Sequence, residues 1–258
     1  MASKSTPQIT RDRHDPAAAF RTRLMRWFRR HGRDLPWRRT RDPYHIAVSE
    51  FMLQQTQVSR VQQYYQSFLD QYPTIHHLAS AQPAAVRESW QGLGYYRRAA
   101  NLHKLAQTVV RERGGLMPAT VDELRALPGV GRYTAGAIAS FAYERSEPAV
   151  DTNVERVIRR AFLGRRSRAK TDRVWKIAGS LVPRQGQSAW TFNQAIMELG
   201  ALICTARVAR CSLCPVRGSC MTGKKGGREA GSGKREAGSG KREAGSGKRE
   251  AGSGSGER

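Results

Sequence analysis

One acidic residue of the sequence, Glu50, lies inside an otherwise apolar run. Its apolar neighbours in that run are Ile46, Ala47, Val48, Phe51, Met52 and Leu53. Apolar surroundings penalise the charged form of a carboxyl group and raise its pKa. The sequence therefore predicts that Glu50 holds a proton near neutral pH and can act as an acid. An ordinary surface position on a helix is the alternative.

A second acidic residue, Asp151, is predicted to lie at the start of a helix. The residues that follow it, Thr152 to Glu155, have the spacing of a capping box. Backbone N–H groups and the helix dipole at such a position favour an ionised carboxylate. We therefore expect Asp151 to stay charged while Glu50 is protonated, with a purely structural N-cap as the alternative.

The four cysteines of the chain lie within 17 residues and have the spacing C-x6-C-x2-C-x5-C. They are Cys204, Cys211, Cys214 and Cys220. This close grouping argues against a disulfide framework and predicts a local metal site. Structural zinc sites usually contain two short-spaced pairs, and here only Cys211 and Cys214 form one. The spacing therefore favours a 4Fe–4S cluster, with zinc as the competing metal.

The stretch LPGVG at residues 127–131 separates two predicted helices. Thr120 and Glu123 have capping-box spacing, which predicts that the first helix starts there. Pro128 is expected to end that helix, and a second helix is predicted to begin near Arg132. The pattern is therefore that of a helix–hairpin–helix.

The hairpin is predicted to bind an anion. Gly129 and Gly131 allow positive φ or close backbone approach. Free N–H groups of the hairpin then point at one spot at a helix N-terminus, where the helix dipole also favours negative charge. We expect the backbone of Leu127, Gly129, Val130 and Gly131 to contact a DNA phosphate without reading a base. An ordinary helix–turn–helix corner is the alternative.

The charge of the chain points to a polyanionic partner. The 258 residues carry a formal net charge of +24. From Met221 onward there are ten Lys or Arg and five Glu, so residues 1–220 still carry +19. Such an excess favours nucleic acid, with an acidic membrane surface as the weaker option. Arg207 and Arg210, between the first two cysteines, are predicted to contact phosphate, with a solvated loop as the alternative.

The elements that position these residues are predicted to be helices from Ala17 to about Cys220, because strand-like alternation is scarce. Residues 1–16 are predicted to be a disordered N-terminus, and residues 223–258, which repeat KREAGSG, a disordered basic tail. No apolar run approaches the ~20 residues that span a bilayer, and the N-terminus lacks a signal-peptide pattern. We expect a cytoplasmic, nucleoid-associated protein.

Seven blocks of the sequence also carry a resemblance to a known family. They are LPWR at 35–38, SEFMLQQTQV at 49–58, GLGYYRRAANLHK at 92–104, LPGVGRYTAGAI at 127–138, VDTNVERV at 150–157, FNQAIMELGALIC at 192–204 and CSLCP at 211–215. Their order and separation resemble the endonuclease III superfamily of DNA glycosylases, and within it the MutY family. The resemblance covers residues 20–222, nearly the whole non-repetitive body.

The resemblance implies an all-α fold of two helical modules with the active site in the cleft between them. Residues 36–146 would form a six-helix module that contains the helix–hairpin–helix. Residues 17–35 and 147–222 would form a second module that holds a 4Fe–4S cluster. The implied partner is double-stranded DNA with a mismatch or an oxidised base, and we expect a monomer.

The resemblance also implies residue roles. A glycosylase flips a nucleotide out of the stack, protonates the base and stabilises an oxocarbenium-like sugar. By resemblance Glu50 protonates the adenine ring, Asp151 is the catalytic aspartate, and Asn153 is a further site residue. Tyr133 follows the hairpin, where strand-cleaving relatives have a lysine nucleophile. A phenol cannot form a Schiff base, so we predict a monofunctional enzyme that leaves an abasic site.

Residues beside the site are expected to act on the opened duplex. By resemblance Gln55 enters the base stack, with Gln54 beside it, and Tyr95 wedges beside the orphaned base. Both glutamines are expected on the same helix as Glu50. Core packing is the alternative for one of Tyr95 and Tyr96.

The substrate is less sharply indicated. MutY proteins commonly have a further C-terminal domain that helps to recognise 8-oxoguanine. We expect it to be absent because the 38 residues after Cys220 are low-complexity, which leaves dependence on the oxidised base open. The motifs QQTQV and LGYY favour adenine opposite 8-oxoguanine or guanine, with thymine or uracil opposite guanine as the alternative. A non-catalytic DNA-binding protein and a redox enzyme are further alternatives.

Overall fold

The structure, a computed structural model, describes residues 15–224 of the chain. Within that range the protein is all-α and contains no β-strand, which confirms the predicted fold class. Its α-helices are α1 (Pro16–His31), α2 (Pro43–Leu53), α3 (Val58–Gln71), α4 (Ile75–Ser80), α5 (Pro83–Ser89), α6 (Arg97–Arg113), α7 (Val121–Arg125), α8 (Arg132–Tyr143), α9 (Thr152–Ile158), α10 (Thr171–Leu181), α11 (Gly186–Leu202) and α12 (Met221–Lys224). Shorter segments are the 3-10 turns Pro36–Arg38, Cys211–Leu213 and Arg217–Ser219 and the π-helical turn Arg159–Leu163.

The first described helix begins earlier than the sequence predicts. Asp15 caps α1, because its side chain accepts a hydrogen bond of 2.8 Å from the N–H of Ala17, and Pro16 is the first helical residue. Residues 15 and 16 therefore belong to the helix start and not to the predicted disordered N-terminus. The rest of that segment, and residues 225–258 of the predicted tail, lie outside the described residues.

The buried apolar side chains form two clusters. Between Leu35 and Ala149 they build the first core, from α2 to α8. Residues of α1 and of the stretch from Val150 to Val216 build the second core. Seven α-helices lie between residues 36 and 146, where the resemblance implies six. Pro83 starts a new helix directly after α4, and this divides residues 75–89 into two short helices.

A buried ion-pair network joins the two cores. Glu198 of α11 accepts hydrogen bonds from the guanidinium groups of Arg33 and Arg38, at 2.7–3.0 Å. Arg38 is the last residue of the LPWR turn and Arg33 lies two residues before it; Leu35 and Trp37 of this turn belong to the first core. Burial alone would raise the pKa of Glu198, but the hydrogen bonds from the two arginines lower it to about 2.

No helix among residues 15–224 is both long enough and apolar enough to cross a membrane.

Candidate active site

Glu50 is buried on α2, and its side chain is only partly satisfied. The residue is 4% exposed, and its Oε2 atom has no hydrogen-bond partner among the described residues. Burial raises the pKa of Glu50 to about 7; a hydrogen bond with Tyr133 opposes the shift and the charge of Asp151 adds to it. Close to neutral pH the group can therefore hold a proton, as its apolar sequence neighbourhood predicts.

Three of the predicted site residues lie close together. Tyr133 is the second residue of α8, and its side chain hydrogen-bonds to the Glu50 carboxyl group. Burial raises the pKa of Tyr133 well above its usual value, and the nearby carboxyl groups of Glu50 and Asp151 raise it further. Tyr133 is therefore a neutral phenol at physiological pH.

Asp151 caps α9 and is itself the N-cap residue. Its Oδ1 accepts a hydrogen bond of 2.7 Å from the N–H of Val154, so the helix starts as predicted. The predicted capping box is one residue off, because Thr152 is already helical. Burial raises the pKa of Asp151, although hydrogen bonds from Val154 and Asn153 oppose the shift. Those hydrogen bonds stabilise the ionised carboxylate of Asp151, whereas Oε2 of Glu50 receives no hydrogen bond.

Close packing brings Asp151 to the start of α8. Gly136 lies one turn after Tyr133, and the carbonyl oxygen of Pro148 lies 2.3 Å from the position that a Cβ on Gly136 would occupy. Only glycine permits this approach. The buried amide of Asn193 on α11 holds α8 to the segment before Asp151, since its Nδ2 donates to Ser140 Oγ at 2.9 Å and to the carbonyl of Glu147 at 2.8 Å.

Asn153 and Arg156 connect Asp151 to the cysteine loop. Asn153 Nδ2 donates to Asp151 Oδ2 at 2.8 Å, and Asn153 Oδ1 accepts from Arg156 Nη2 at 2.6 Å. The same guanidinium donates from Nε to the carbonyl of Cys204 at 2.7 Å and from Nη2 to the carbonyl of Gly200 at 2.7 Å. Asn153 thus orients one oxygen of Asp151.

The glutamines lie beyond the helix that carries Glu50. Helix α2 ends at Leu53, and Gln54 is the residue after it. Gln55 is exposed and has φ of 57°, in the left-handed region. The expectation that both glutamines are on the helix is wrong, because the chain turns at Gln54. The carbonyl groups of Met52 and Gln54 accept hydrogen bonds from the side chain of Arg98 instead.

Tyr95 and Tyr96 are both at the surface. Tyr95 is 64% exposed and has φ of 47°, while Tyr96 is 38% exposed and stacks with the guanidinium of Arg87. Neither ring packs in the core, so the core alternative is wrong for both. The exposure of Tyr95 leaves its ring accessible from outside the protein, and its contact with DNA stays a prediction.

The hairpin has the predicted helix boundaries. Thr120 and Glu123 form the capping box, with Thr120 Oγ1 and Glu123 Oε2 2.6 Å apart, and α8 begins at Arg132. The first of the two helices, α7, ends at Arg125, before Pro128.

The two hairpin glycines differ in what they require. Gly129 has φ of 77°, and a Cβ there would lie 2.7 Å from Asn101 Cβ and 2.9 Å from the ring of Phe51. Gly131, the N-cap residue of α8, has φ of −86° and open space around its Cβ position. The positive φ that the sequence allows at both glycines is therefore found at Gly129 and not at Gly131. The side chains of Leu127 and Val130 are buried in the first core, which leaves only their backbone for a phosphate.

The four cysteines line one cavity. Cys204, Cys211, Cys214 and Cys220 are reduced and half-buried, and five arginines line the same cavity: Arg160, Arg165, Arg207, Arg210 and Arg217. Among residues 15–224 no group of three or more His, Cys, Asp or Glu side chains is arranged to hold a metal ion. Burial raises the pKa of Cys214 to about 12. A donor set of four sulfurs without histidine nevertheless fits an iron–sulfur cluster, whose charge would stabilise the thiolates.

Sequence reasoning missed several residues that hold the site. They are Arg98, Arg156, Asn193 and Glu198. Arg98 had one signal: it lies on the apolar face of α6, four and seven positions before the core residues Leu102 and Leu105, and an arginine there needs buried partners. The others pair with residues more than 40 positions away in sequence, which local spacing cannot show.

Fold and site together define a class of protein. A helix–hairpin–helix lies beside a buried, protonatable carboxyl group and a second buried carboxyl group. Residues 48–184, more than half of the chain, match the family model of the HhH-GPD superfamily base excision DNA repair protein. The chain belongs to this superfamily of base excision DNA repair proteins, and the predicted resemblance to endonuclease III enzymes is confirmed.

Individual relatives are similar over most of the described range. The chain is 46% identical over 194 residues to an adenine DNA glycosylase of Mycolicibacterium smegmatis; the alignment covers 75% of this chain and 66% of the relative. It is 39% identical over 202 residues to a thymine/uracil-DNA glycosylase of Pyrobaculum aerophilum, covering 76% of this chain and 88% of that protein. The chain thus spans just under two thirds of the adenine-specific relative.

A solved structure supports contact with DNA. A trapped endonuclease III–DNA covalent intermediate, described as an estranged-adenine complex, superposes with a TM-score of 0.69 at 26% identity. The superposition covers 81% of this chain and 95% of that chain. A protein of the same fold therefore binds DNA.

Proposed function

We propose that the protein is a monofunctional DNA glycosylase of base excision repair that removes adenine paired with 8-oxoguanine or guanine. The observation that carries the proposal is the buried carboxyl group of Glu50, with one oxygen unpartnered, beside Asp151 and Tyr133. The similarity to an adenine DNA glycosylase supports the choice of base. The proposed setting is chromosomal DNA inside the cell.

Glu50 is the proposed acid. Its proton passes from the carboxyl group to a ring nitrogen of the flipped adenine, which leaves as a neutral base when the N-glycosidic bond breaks. A water molecule then adds to the sugar carbon and gives a proton to the Glu50 carboxylate, which restores the acid. The product is an abasic site, and no strand is cut.

Asp151 is the proposed counter-charge. Its ionised carboxylate stabilises the positive charge that develops on the sugar as the base departs. Asn153 holds Oδ2 of Asp151, and the N–H of Val154 holds Oδ1. Tyr133 keeps the Glu50 carboxyl group in place and, as a phenol, offers no amine for a Schiff base.

The surrounding loops are proposed to hold the opened duplex. Gln55 fills the space that the flipped nucleotide leaves, and Tyr95 wedges beside the orphaned partner base. Both side chains are exposed in the free protein. Gln54, half-buried behind Gln55, supports the first of these loops.

Phosphate contacts are proposed at two places. The N–H groups at the start of α8 have no side-chain cap, so the hairpin backbone at Gly129 and Gly131 can accept a phosphate. Arg207 and Arg210 are exposed at the mouth of the cysteine cavity and provide a second contact.

The four cysteines are proposed to hold a 4Fe–4S cluster. Cys204, Cys211, Cys214 and Cys220 line one cavity, and their spacing, with a single short-spaced pair, suits a multi-iron cluster better than a single zinc ion. Cys204 and Cys211, which flank the loop with Arg207 and Arg210, would both hold the cluster, and it would restrain that loop at both ends. Purified protein should be brown and absorb in the visible iron–sulfur bands; a colourless zinc protein contradicts this assignment.

One observation favours a second substrate class. The thymine/uracil-DNA glycosylase relative matches this chain over 88% of its own length. Removal of thymine or uracil opposite guanine is therefore the alternative activity.

A substrate panel separates the two activities. Single-turnover release is measured, after alkali treatment, on duplexes that contain A opposite 8-oxoguanine, A opposite G, T opposite G and U opposite G. The proposal predicts release from the first two duplexes. Release from only the last two contradicts it. Borohydride should trap no covalent complex on any duplex, because Tyr133 cannot form a Schiff base.

A further inference from the structure

Arg98, at the start of α6, is a buried arginine whose hydrogen-bond acceptors are all backbone carbonyl groups. The residue is 7% exposed, although the neighbouring Arg97 is at the surface. Its guanidinium lies 5.6 Å from the ring centre of Trp90, which is fully buried, and 5.7 Å from that of Tyr95. A buried guanidinium is costly unless its donors are satisfied. Both Nη atoms of Arg98 have carbonyl acceptors, whereas its Nε has no partner among the described residues. Its hydrogen bonds therefore indicate what it is there to hold.

One nitrogen of Arg98 holds the end of the helix that carries Glu50. Nη1 donates to the carbonyl of Phe51 at 3.0 Å, to that of Met52 at 2.7 Å, and to that of Gln54. These carbonyl groups are at the C-terminus of α2, where helix ends lack intrahelical donors and favour positive charge. Nη1 therefore fixes the turn from which Gln55 projects.

The other nitrogen holds a second loop. Nη2 donates to the carbonyl groups of Leu93 and Gly94, at 3.0 Å each. Tyr95 follows directly. One guanidinium thus ties together the backbones immediately before Gln55 and immediately before Tyr95, which are 40 residues apart in the sequence.

Both of the residues that follow these carbonyl groups have unfavourable backbones. Among residues 15–224 only three non-glycine residues have positive φ, and two of them are Gln55 at 57° and Tyr95 at 47°. Such conformations persist where the surrounding structure over-determines them. Arg98 binds the carbonyl group directly before each of these two residues.

We propose that Arg98 is a positioning residue that holds the Gln55 and Tyr95 loops in one fixed relation, so that both enter the DNA as a unit. The inference rests on the proposed function, since it assigns these two loops to the opened duplex. Arg98 touches neither base nor sugar. Because Arg98 holds both loops in place in the free protein, DNA binding does not have to pay the conformational entropy of ordering them.

Hydrogen exchange tests the positioning role without any activity. Arg98→Met should raise amide exchange in both segments 51–57 and 92–97 and leave the hairpin segment 127–133 unchanged. Arg60→Met is the matched control, because Arg60 Nε donates only to the carbonyl of Gly92, at 3.1 Å. It should raise exchange in the second segment alone. Unchanged exchange in either segment of the Arg98 variant contradicts the proposal.

Arg98→Lys keeps the charge and protects against a variant that fails to fold. A lysine ammonium cannot donate to two diverging sets of carbonyl groups in the planar geometry of a guanidinium. The lysine variant should therefore show the same exchange increase in both loops, at smaller amplitude. Full retention of wild-type exchange by the lysine variant contradicts the proposal.

Kinetics separate positioning from a general structural loss. On a duplex with A opposite G, the single-turnover rate of Arg98→Met at saturating protein should be lower by roughly 10-fold or more, because the variant lacks the buried hydrogen bonds that the guanidinium donates to both loops. On A opposite an abasic site there is no partner base to hold, and the loss should shrink to less than about 3-fold. Arg97→Met removes the same charge at the surface and should not show this split. Equal loss on both duplexes indicates a purely structural role and overturns the proposal.

Failure of the two proposals can be told apart. If the wild-type protein releases no base from any duplex, the proposed function fails. The hydrogen-exchange comparison then still decides whether Arg98 couples the loops, and an uncoupled result overturns the inference by itself. If the wild type is active and the variant is active to the same extent on every duplex, only the inference fails.

Discussion

Glu50 and Asp151 are two carboxyl groups that the protein treats differently. Both are desolvated, and burial raises the pKa of each. Asp151 accepts hydrogen bonds from Val154 and Asn153, whereas Glu50 Oε2 accepts none. Hydrogen bonds to a carboxylate favour its ionised form, so the proton resides on Glu50. This division of labour is the one that acid-catalysed cleavage of a glycosidic bond requires.

The pH dependence of base release should report the protonation of Glu50. The pKa of Glu50 is raised to about 7, so the acid form is lost as pH rises through that value. We expect kcat/KM to fall above about pH 7, approaching tenfold per pH unit, as for a single ionisation. Single-turnover rates between pH 5.5 and 9 measure this. A rate that stays constant up to pH 9 contradicts the role of Glu50 as the acid.

The same group should make the protein less stable at high pH. The pKa of Glu50 is higher in the folded protein than the ordinary 4.5, so the folded state binds the proton more tightly than the unfolded state. Stability is then fully present below about pH 4.5 and declines as pH rises through about 7.

The variant Glu50→Gln should remove the loss of stability that ionisation of the buried Glu50 causes at high pH. At pH 8 we expect it to be more stable than the wild type by about 1–3 kcal/mol, with a smaller difference at pH 5. Denaturant unfolding at both pH values measures the effect. Greater stabilisation at pH 5 than at pH 8 would contradict a raised pKa at this position.

At the scale of elements, helix starts were easier to predict than helix ends. Thr120 and Asp151 lie at helix starts because their own side chains satisfy the first N–H groups, and this is a local property. The end of α2 was predicted wrongly, because the guanidinium of Arg98 binds the carbonyl groups that another helical turn would need. A partner more than 40 residues away leaves no trace in the local pattern.

The hairpin glycines give a prediction for one element. Gly129→Ala should destabilise the protein by roughly 1–3 kcal/mol, because alanine is strained at φ of 77° and its Cβ would collide with Asn101. Gly131→Ala is the matched control and should be close to neutral, since its φ is −86° and its Cβ position is open. Thermal unfolding of both variants checks this. Equal destabilisation by the two substitutions would contradict the hairpin geometry.

At the scale of the whole molecule, the two cores must be held in register for Glu50 to face Asp151. Glu50 belongs to α2 in the first core, and Asp151 starts α9 in the second. Glu198, with Arg33 and Arg38, spans them. The sequence predicted an all-α fold and grouped Glu50, Tyr133 and Asp151 through their motifs. It could not predict the residues that hold the cores together, because each of those pairs joins distant segments.

Loss of the Glu198 carboxylate should weaken the whole molecule. Glu198→Gln leaves the guanidinium groups of Arg38, 9% exposed, and Arg33, 35% exposed, without their counter-charge, and we expect a cost of about 3 kcal/mol. Glu112→Gln, in the exposed pair with Arg111, is the control and should change stability by less than about 1 kcal/mol.

Acid titration provides a second check on Glu198. Its pKa of about 2 lies below the ordinary value, so its contribution is present above about pH 4.5 and declines as pH falls toward 2. The difference in free energy of unfolding between the wild type and Glu198→Gln should therefore shrink as pH falls from about 4.5 toward 2. An unchanged free energy of unfolding at pH 7 would contradict the role of the network.

The central claim is that Glu50 is the acid that releases the base, and one comparison tests it most directly. Base release from duplexes with A opposite 8-oxoguanine is measured under single-turnover conditions for Glu50→Gln and for Glu88→Gln, an exposed glutamate on α5. Binding of the same duplex is measured in parallel. We predict that Glu50→Gln lowers the release rate by roughly 10²–10⁴-fold while binding is retained, and that Glu88→Gln changes neither. Wild-type release by the Glu50 variant would contradict the account.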